Sequence, residues 1–204
     1  MKSENREKSL IGITMGDPGG IGPEVILKAL TSPEIRAAAN YVVIGSEKVL
    51  SSISDRALTD NISVLDLDNF TVNNATIHKP LPESGKASVE YILKGLDLTL
   101  NGKIDALVTA PISKEAIKLA GFDYAGHTEL LKEKTAVENV VMFMIGKGLR
   151  VAFVTTHLAV NEISGSINQE NVFSTIQITA TGLKTFFGID QPKIAVCGLN
   201  PHCG

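Results

Sequence analysis

The sequence is short of the features that would put it in several common functional classes. It has only two cysteines, Cys197 and Cys203, too few for a disulfide framework, and their C-x5-C spacing matches no common zinc pattern, so they read as two reduced thiols. It has no excess of positive charge. Nineteen Lys and Arg stand against 22 Asp and Glu, a formal net charge of -3, and no basic cluster interrupts the mixture, so the electrostatic footprint of a nucleic-acid binder is missing. It has no long apolar run either. Met1–Ser9 is charged and polar without a signal-peptide core, and no later stretch is long and apolar enough to cross a bilayer. These absences lead us to expect a cytoplasmic protein with no membrane partner. There is no internal repeat or low-complexity tract. What is present is 44% hydrophobic content over 204 residues, enough to bury the core of one domain, or one and a half, and too much for a disordered chain.

The chain is organised around Met15-Gly16-Asp17-Pro18-Gly19-Gly20-Ile21-Gly22-Pro23-Glu24. The apolar run Leu10–Thr14 before it reads as a strand, and the pattern opened by Pro23-Glu24-Val25-Ile26-Leu27-Lys28 reads as a helix. Strand, glycine-rich turn and helix together can hold a polar ligand against backbone N–H groups. The spacing is neither GxGxxG nor GxxxxGK[ST], so a tight structural turn remains an equal alternative. Asp17 could orient a backbone or a ligand, or equally cap the turn.

Further strands are expected at Tyr41–Gly45, Ile62–Asp66, Ile104–Thr109 and Lys193–Gly198. The apolar runs Asn139–Ile145 and Leu149–Thr156, separated by Gly146-Lys147-Gly148, predict a hairpin. A polar segment with helical potential covers Glu47–Ile53. Ala87, Val89, Ile92, Leu93, Leu96 and Leu100 form a helical stripe within Gly85–Leu100. Ser113 is placed to cap a helix running through Leu119 that Gly121 terminates, and His127 and Thr128 open the next. A long helix is expected over Gln169–Phe187, closed by Gly188. Asn69–Ser84 reads as a connection in which His78 is a solvated side chain. The fold class is therefore α/β. The last strand delivers an Asn200-Pro201-His202 loop with no helix after it, which suggests part of a longer protein.

Three of the four histidines, His127, His157 and His202, fall at expected strand-to-helix turns, where open α/β sheets gather ligand-binding groups. His157 and His202 could present imidazole nitrogens to one divalent metal, or be ordinary loop histidines. Lys114 is a candidate anion contact or a solvated first-turn lysine.

Five segments taken together, Gly12–Glu24, Thr109–Ala116, Gly126-His127-Thr128-Glu129, Thr155-Thr156-His157-Leu158 and Gly198-Leu199-Asn200-Pro201-His202, resemble the 4-hydroxythreonine-4-phosphate dehydrogenase family of vitamin B6 (pyridoxine, pyridoxal phosphate) biosynthesis, in order and approximate spacing. The resemblance implies a three-layer α/β/α fold like that of isocitrate and isopropylmalate dehydrogenases and a homodimer. Residues 1–204 would be the amino-terminal portion of a truncated two-domain enzyme. It implies that His127 and Thr128 bind substrate and that His157 and His202 ligate a divalent cation such as zinc, cobalt or magnesium, with a third histidine in a YHDQG-like segment beyond residue 204. Cys203 stands where many members have alanine. It implies an NAD(P)-dependent oxidoreductase that oxidises 4-phosphooxy-L-threonine and decarboxylates it to 3-amino-2-oxopropyl phosphate. It identifies neither a proton-transfer residue nor the NAD or NADP contacts, and the 204-residue chain alone is expected to bind metal weakly and turn over poorly. Two alternatives stand beside it: a dehydrogenase of a four-carbon sugar-acid phosphate (threonate or erythronate 4-phosphate), and a truncated, non-catalytic ligand-binding module.

Overall fold

A computed structural model describes residues 8–54, 61–71 and 79–201. The chain divides into two compact units, Met1–Leu131 and Lys132–Gly204.

The first unit is a mixed α/β structure on a four-stranded parallel sheet. In chain order it runs β1 (Leu10–Thr14), α1 (Gly22–Leu30), α2 (Pro33–Ala38), β2 (Asn40–Gly45), α3 (Glu47–Ile53), β3 (Ile62–Asp66), α4 (Pro82–Leu100), β4 (Ala106–Thr109), α5 (Lys114–Leu119) and the start of α6 (His127–Thr135), a helix that runs past the boundary at Leu131. The strand order is β3-β2-β1-β4. β1 pairs with β2 on one side (Ile13↔Val43) and β4 on the other (Ile13↔Val108), both in parallel register. Parallel strands covered on their faces carry near-continuous apolar runs, which is why β1 and β2 are legible as Leu-Ile-Gly-Ile and Tyr-Val-Val-Ile. The core joins Ile13, Met15, Val43, Ile44, Val49 and Tyr91, and α4 lies against β1, β2 and β4. The expected stripe on α4 holds for Ala87, Val89, Ile92 and Leu96. Leu100, at the last position of the helix, is 66% exposed, and Tyr91, which the stripe omits, is wholly buried. Tyr91 follows Ala87 at i+4 and so shares its face.

In the second unit β5 (Met142–Gly146) and β6 (Leu149–Phe153) form the expected antiparallel hairpin, turned by Lys147 and a left-handed Gly148 (φ 79°). α7 (Val160–Ser166) and α8 (Gln169–Phe187) follow. α8 begins where Asn168 Oδ1 accepts from Asn171 N at 2.8 Å and ends at Gly188 with φ 65°, a left-handed stop that glycine takes without a Cβ penalty. It packs on β6, with Phe143 edge-on to Phe187 at 6.0 Å. Residues 193–198, expected as a strand, form none. An apolar run becomes a strand only when another strand supplies its ladder, and no described residue pairs with this one. α2 and α7 were not anticipated. Neither has a buried residue, so neither carries an apolar period.

Candidate functional site

The order β3-β2-β1-β4 makes the gap between β1 and β4 the topological switch point, and in open α/β sheets ligands bind outside the carboxyl ends of the strands at such a point. Two turns bracket it, Met15–Ile21 after β1 and Ala110–Ser113 after β4. They are joined backbone to backbone: Ala110 N donates to Thr14 O at 3.1 Å and Asp17 N to Pro111 O at 2.9 Å.

The glycines of the first turn answer to this crowding. Gly16 has φ 73°, and a Cβ on it would lie 2.2 Å from Pro111 O, while a Cβ on Gly22 would lie 2.2 Å from Met15 O. Residues 12–19 are buried, and the chain reaches the surface only at Gly20 and Ile21. The tight-turn reading thus explains Gly16 and Gly22 by itself. Asp17 caps the turn and holds its backbone: its buried carboxylate accepts the Gly19 N–H at Oδ1, 2.9 Å away. On the other turn Ser113 Oγ accepts from Ala116 N at 3.2 Å, the cap expected from sequence, and Lys114 is exposed at the head of α5.

α6 carries His127 and Thr128 at its start, as expected. The segment before it is the α5–α6 connection, so His127 follows a helix and not a strand. Leu130, wholly buried against Val89, Ile92 and Ile117, anchors α6 to a small cluster that Ile112 of the second turn also joins. His127 lies three residues before Leu130 and so shares its face of the helix. The imidazole is half-buried, and its Nε2 is enclosed with no hydrogen-bond partner among the described residues. Burial holds its pKa below the usual imidazole value. The ring is therefore neutral near pH 7 and offers one nitrogen as acceptor and one as donor. Thr128 beside it is exposed.

This has a consequence for stability. The folded state disfavours imidazolium at position 127, so the unfolded chain takes up the proton first. The contribution is intact above the usual histidine value, about 6.5, and is lost as pH falls below it. His127→Gln should flatten the dependence of the urea midpoint on pH below that value; an unchanged slope would refute the assignment.

In the second unit His157 lies in the turn between β6 and α7, exposed, with φ 59°, a left-handed conformation uncommon outside glycine. Its expected companion His202 lies outside the described residues, as do Cys203 and His78. Among the described residues no group of three or more His, Cys, Asp or Glu could hold a metal ion. One described imidazole does not make a metal site. Cys197 is exposed with a free thiol. The described part of the second unit also has an apolar cleft of about 470 Å³ between Val141 and Phe143 on one side and Thr179, Leu183 and Phe187 of α8 on the other. Among the described residues no helix is long and apolar enough to cross a membrane.

Comparison with known proteins gives a consistent result. A family model described as pyridoxal phosphate biosynthetic protein PdxA matches residues 25–204. A 4-hydroxythreonine-4-phosphate dehydrogenase of Desulforapulum autotrophicum is 41% identical over 214 residues, covering 97% of this chain and 63% of the relative. A protein of Oceanobacillus iheyensis, provisionally named a D-threonate 4-phosphate dehydrogenase, is 38% identical, covering 97% of this chain and 64% of its own length. Among solved structures, that of a 4-hydroxythreonine-4-phosphate dehydrogenase from Klebsiella pneumoniae superposes with a TM-score of 0.87 at 30% identity, over 98% of this chain and 65% of that one. The chain thus spans a little under two thirds of the length of the relatives it matches.

Proposed function

The chain belongs to the family of the pyridoxal phosphate biosynthetic protein PdxA, and from that premise we propose that the whole protein is an NAD- or NADP-dependent oxidoreductase of vitamin B6 biosynthesis. It would convert 4-phosphooxy-L-threonine to 3-amino-2-oxopropyl phosphate. The observation that supports this most directly is the family match over residues 25–204; at the head of α6 the enclosed Nε2 of His127 has no partner among the described residues. His127 would bond a polar group of the substrate, and the neighbouring Thr128 hydroxyl would donate to one of its oxygens. The positive end of this nine-residue helix favours an anionic group beside them. Lys114 is a second candidate anion contact.

A nicotinamide, when bound, would accept the hydride from C3 of the substrate with the hydroxyl proton passing to solvent, and loss of carbon dioxide with protonation of the carbon left behind would complete the conversion. His157 and His202 are proposed as ligands of a divalent cation, which when bound supplies Lewis-acid polarisation. A two-domain protein with a three-layer arrangement like that of isocitrate dehydrogenase, acting as a cytoplasmic homodimer, belongs to the same proposal.

Calorimetric titration with 4-phosphooxy-L-threonine tests the substrate contacts. Replacing the His127–Thr128 pair by Asn and Val should weaken binding about tenfold to a hundredfold, the loss of one or two hydrogen bonds to a charged ligand. Unchanged affinity would contradict the assignment. The provisional name of the Oceanobacillus relative favours a second reading, a sugar-acid phosphate substrate. Tighter binding of threonate 4-phosphate than of the amino-bearing compound would select it.

A further inference from the structure

The second unit encloses very little of its own surface. Among its described residues only Thr179 and Leu183 are buried, both on α8, whereas the first unit gathers a continuous apolar cluster that includes Val43 and Tyr91. A two-stranded hairpin is marginal in water until further strands or helices cover it.

The apolar stripe of α8 is wider than the hairpin covers. Phe187 meets Phe143 edge-on, but Phe173 and Phe186, which fall on either side of Leu183 around the helix, are 65% and 82% exposed. Phe186 also lines the cleft of about 470 Å³ between Phe143 and Leu183. Contiguous exposed apolar surface of this kind marks a place where something else packs. The run Ile194-Ala195-Val196-Cys197 points the same way. It has the composition of a strand covered on both faces, yet it pairs with neither β5 nor β6 nor any other described strand, and Val196 is 60% exposed. Its ladder has to come from a further strand.

The relatives are long enough to supply one. This chain spans a little under two thirds of their length, so more than a third of the family's length lies outside it. A second copy of the chain would bring the same cleft and the same unpaired run, whereas further chain can bring a strand and apolar side chains that neither copy has.

We propose that the cleft beside Phe186 and the run at 193–198 form one docking surface for the part of the family's length that lies outside this chain. That part would add a β-strand to residues 193–198 and place apolar side chains in the cleft. The inference rests on family membership and on the relatives' length, not on the substrate assignment, and its test reads no activity.

The test compares the 204-residue chain with the same chain joined to the unmatched part of the Desulforapulum autotrophicum relative. Amide exchange at residues 194–198 should slow about a hundredfold or more in the joined protein, with the amides of β2 as the internal standard for a folded first unit. Phe186→Asp should leave the urea midpoint of the 204-residue chain unchanged and lower that of the joined protein. The unmatched part added in trans should bind the 204-residue chain, and Phe186→Asp should weaken that binding about tenfold or more. Exchange at 194–198 within about threefold in the two proteins, or an equal effect of Phe186→Asp on both, would overturn the proposal. Protection of 194–198 that rises with the concentration of the 204-residue chain alone would assign the surface to a second copy and overturn it too.

Discussion

Gly16→Ala is expected to lower the unfolding free energy by roughly 3 kcal/mol or more. A left-handed backbone costs a residue with a Cβ about 1–2 kcal/mol, and the remainder comes from collision with main chain that has nowhere to go. The new Cβ would lie 2.2 Å from Pro111 O and 2.8 Å from Ala110 O. Moving the turn away would break the 2.9 Å bond from Asp17 N to Pro111 O that joins the two turns. Gly102 separates the two contributions: it has φ 62°, but a Cβ there would meet nothing within 4 Å. Gly102→Ala should therefore cost only the conformational part, about 1 kcal/mol. Denaturant midpoints of both variants measure the difference, and similar losses would show that backbone crowding at the switch point is unimportant.

Leu130→Ala is expected to have an effect of similar size and to damage the site as well. Leu130 is 0% exposed in a cluster with Val89, Ile92 and Ile117, and truncating such a leucine typically costs about 2–5 kcal/mol, more when the cavity cannot collapse. The cluster is also what seats the first turn of α6. With it loosened, His127 should lose enclosure, its pKa should return toward the ordinary imidazole value, and its ligand should bind more weakly. Histidine titration by NMR alongside the denaturation midpoint tests both halves. A large stability loss with an unchanged His127 titration would mean that the helix start is held by something else.

Much of this was legible in the sequence, for identifiable reasons. α8 and its stop at Gly188 could be read because a long helix repeats its apolar period many times and ends on a residue suited to left-handed backbone. The hairpin was marked by Gly146-Lys147-Gly148, and Ser113 by the helix pattern behind it. The strand expected at 193–198 failed because a ladder needs a partner, which no local pattern specifies. The stripe on α4 is drawn by aliphatic residues alone and so omits Tyr91, although an aromatic at i+4 from Ala87 falls on the same face. The glycine-rich turn was open to two readings from composition. Only coordinates could show Gly16 pressed against Pro111 O, because the two lie 95 residues apart in the chain. The family resemblance points to His127 and Thr128, but the enclosure of Nε2 is a matter of tertiary packing that the motif does not describe.

The central proposal is that the whole protein is a nicotinamide-dependent oxidative decarboxylase to which this chain contributes substrate and metal contacts. The most direct measurement is reduction of NAD or NADP with release of carbon dioxide from 4-phosphooxy-L-threonine, made on the chain completed to the length of its relatives. The proposal predicts turnover that requires a divalent cation and falls by about a hundredfold or more in His157→Ala, in line with losing a group that acts in the transition state. Absence of turnover with this substrate, or turnover indifferent both to chelation and to loss of His157, would contradict it.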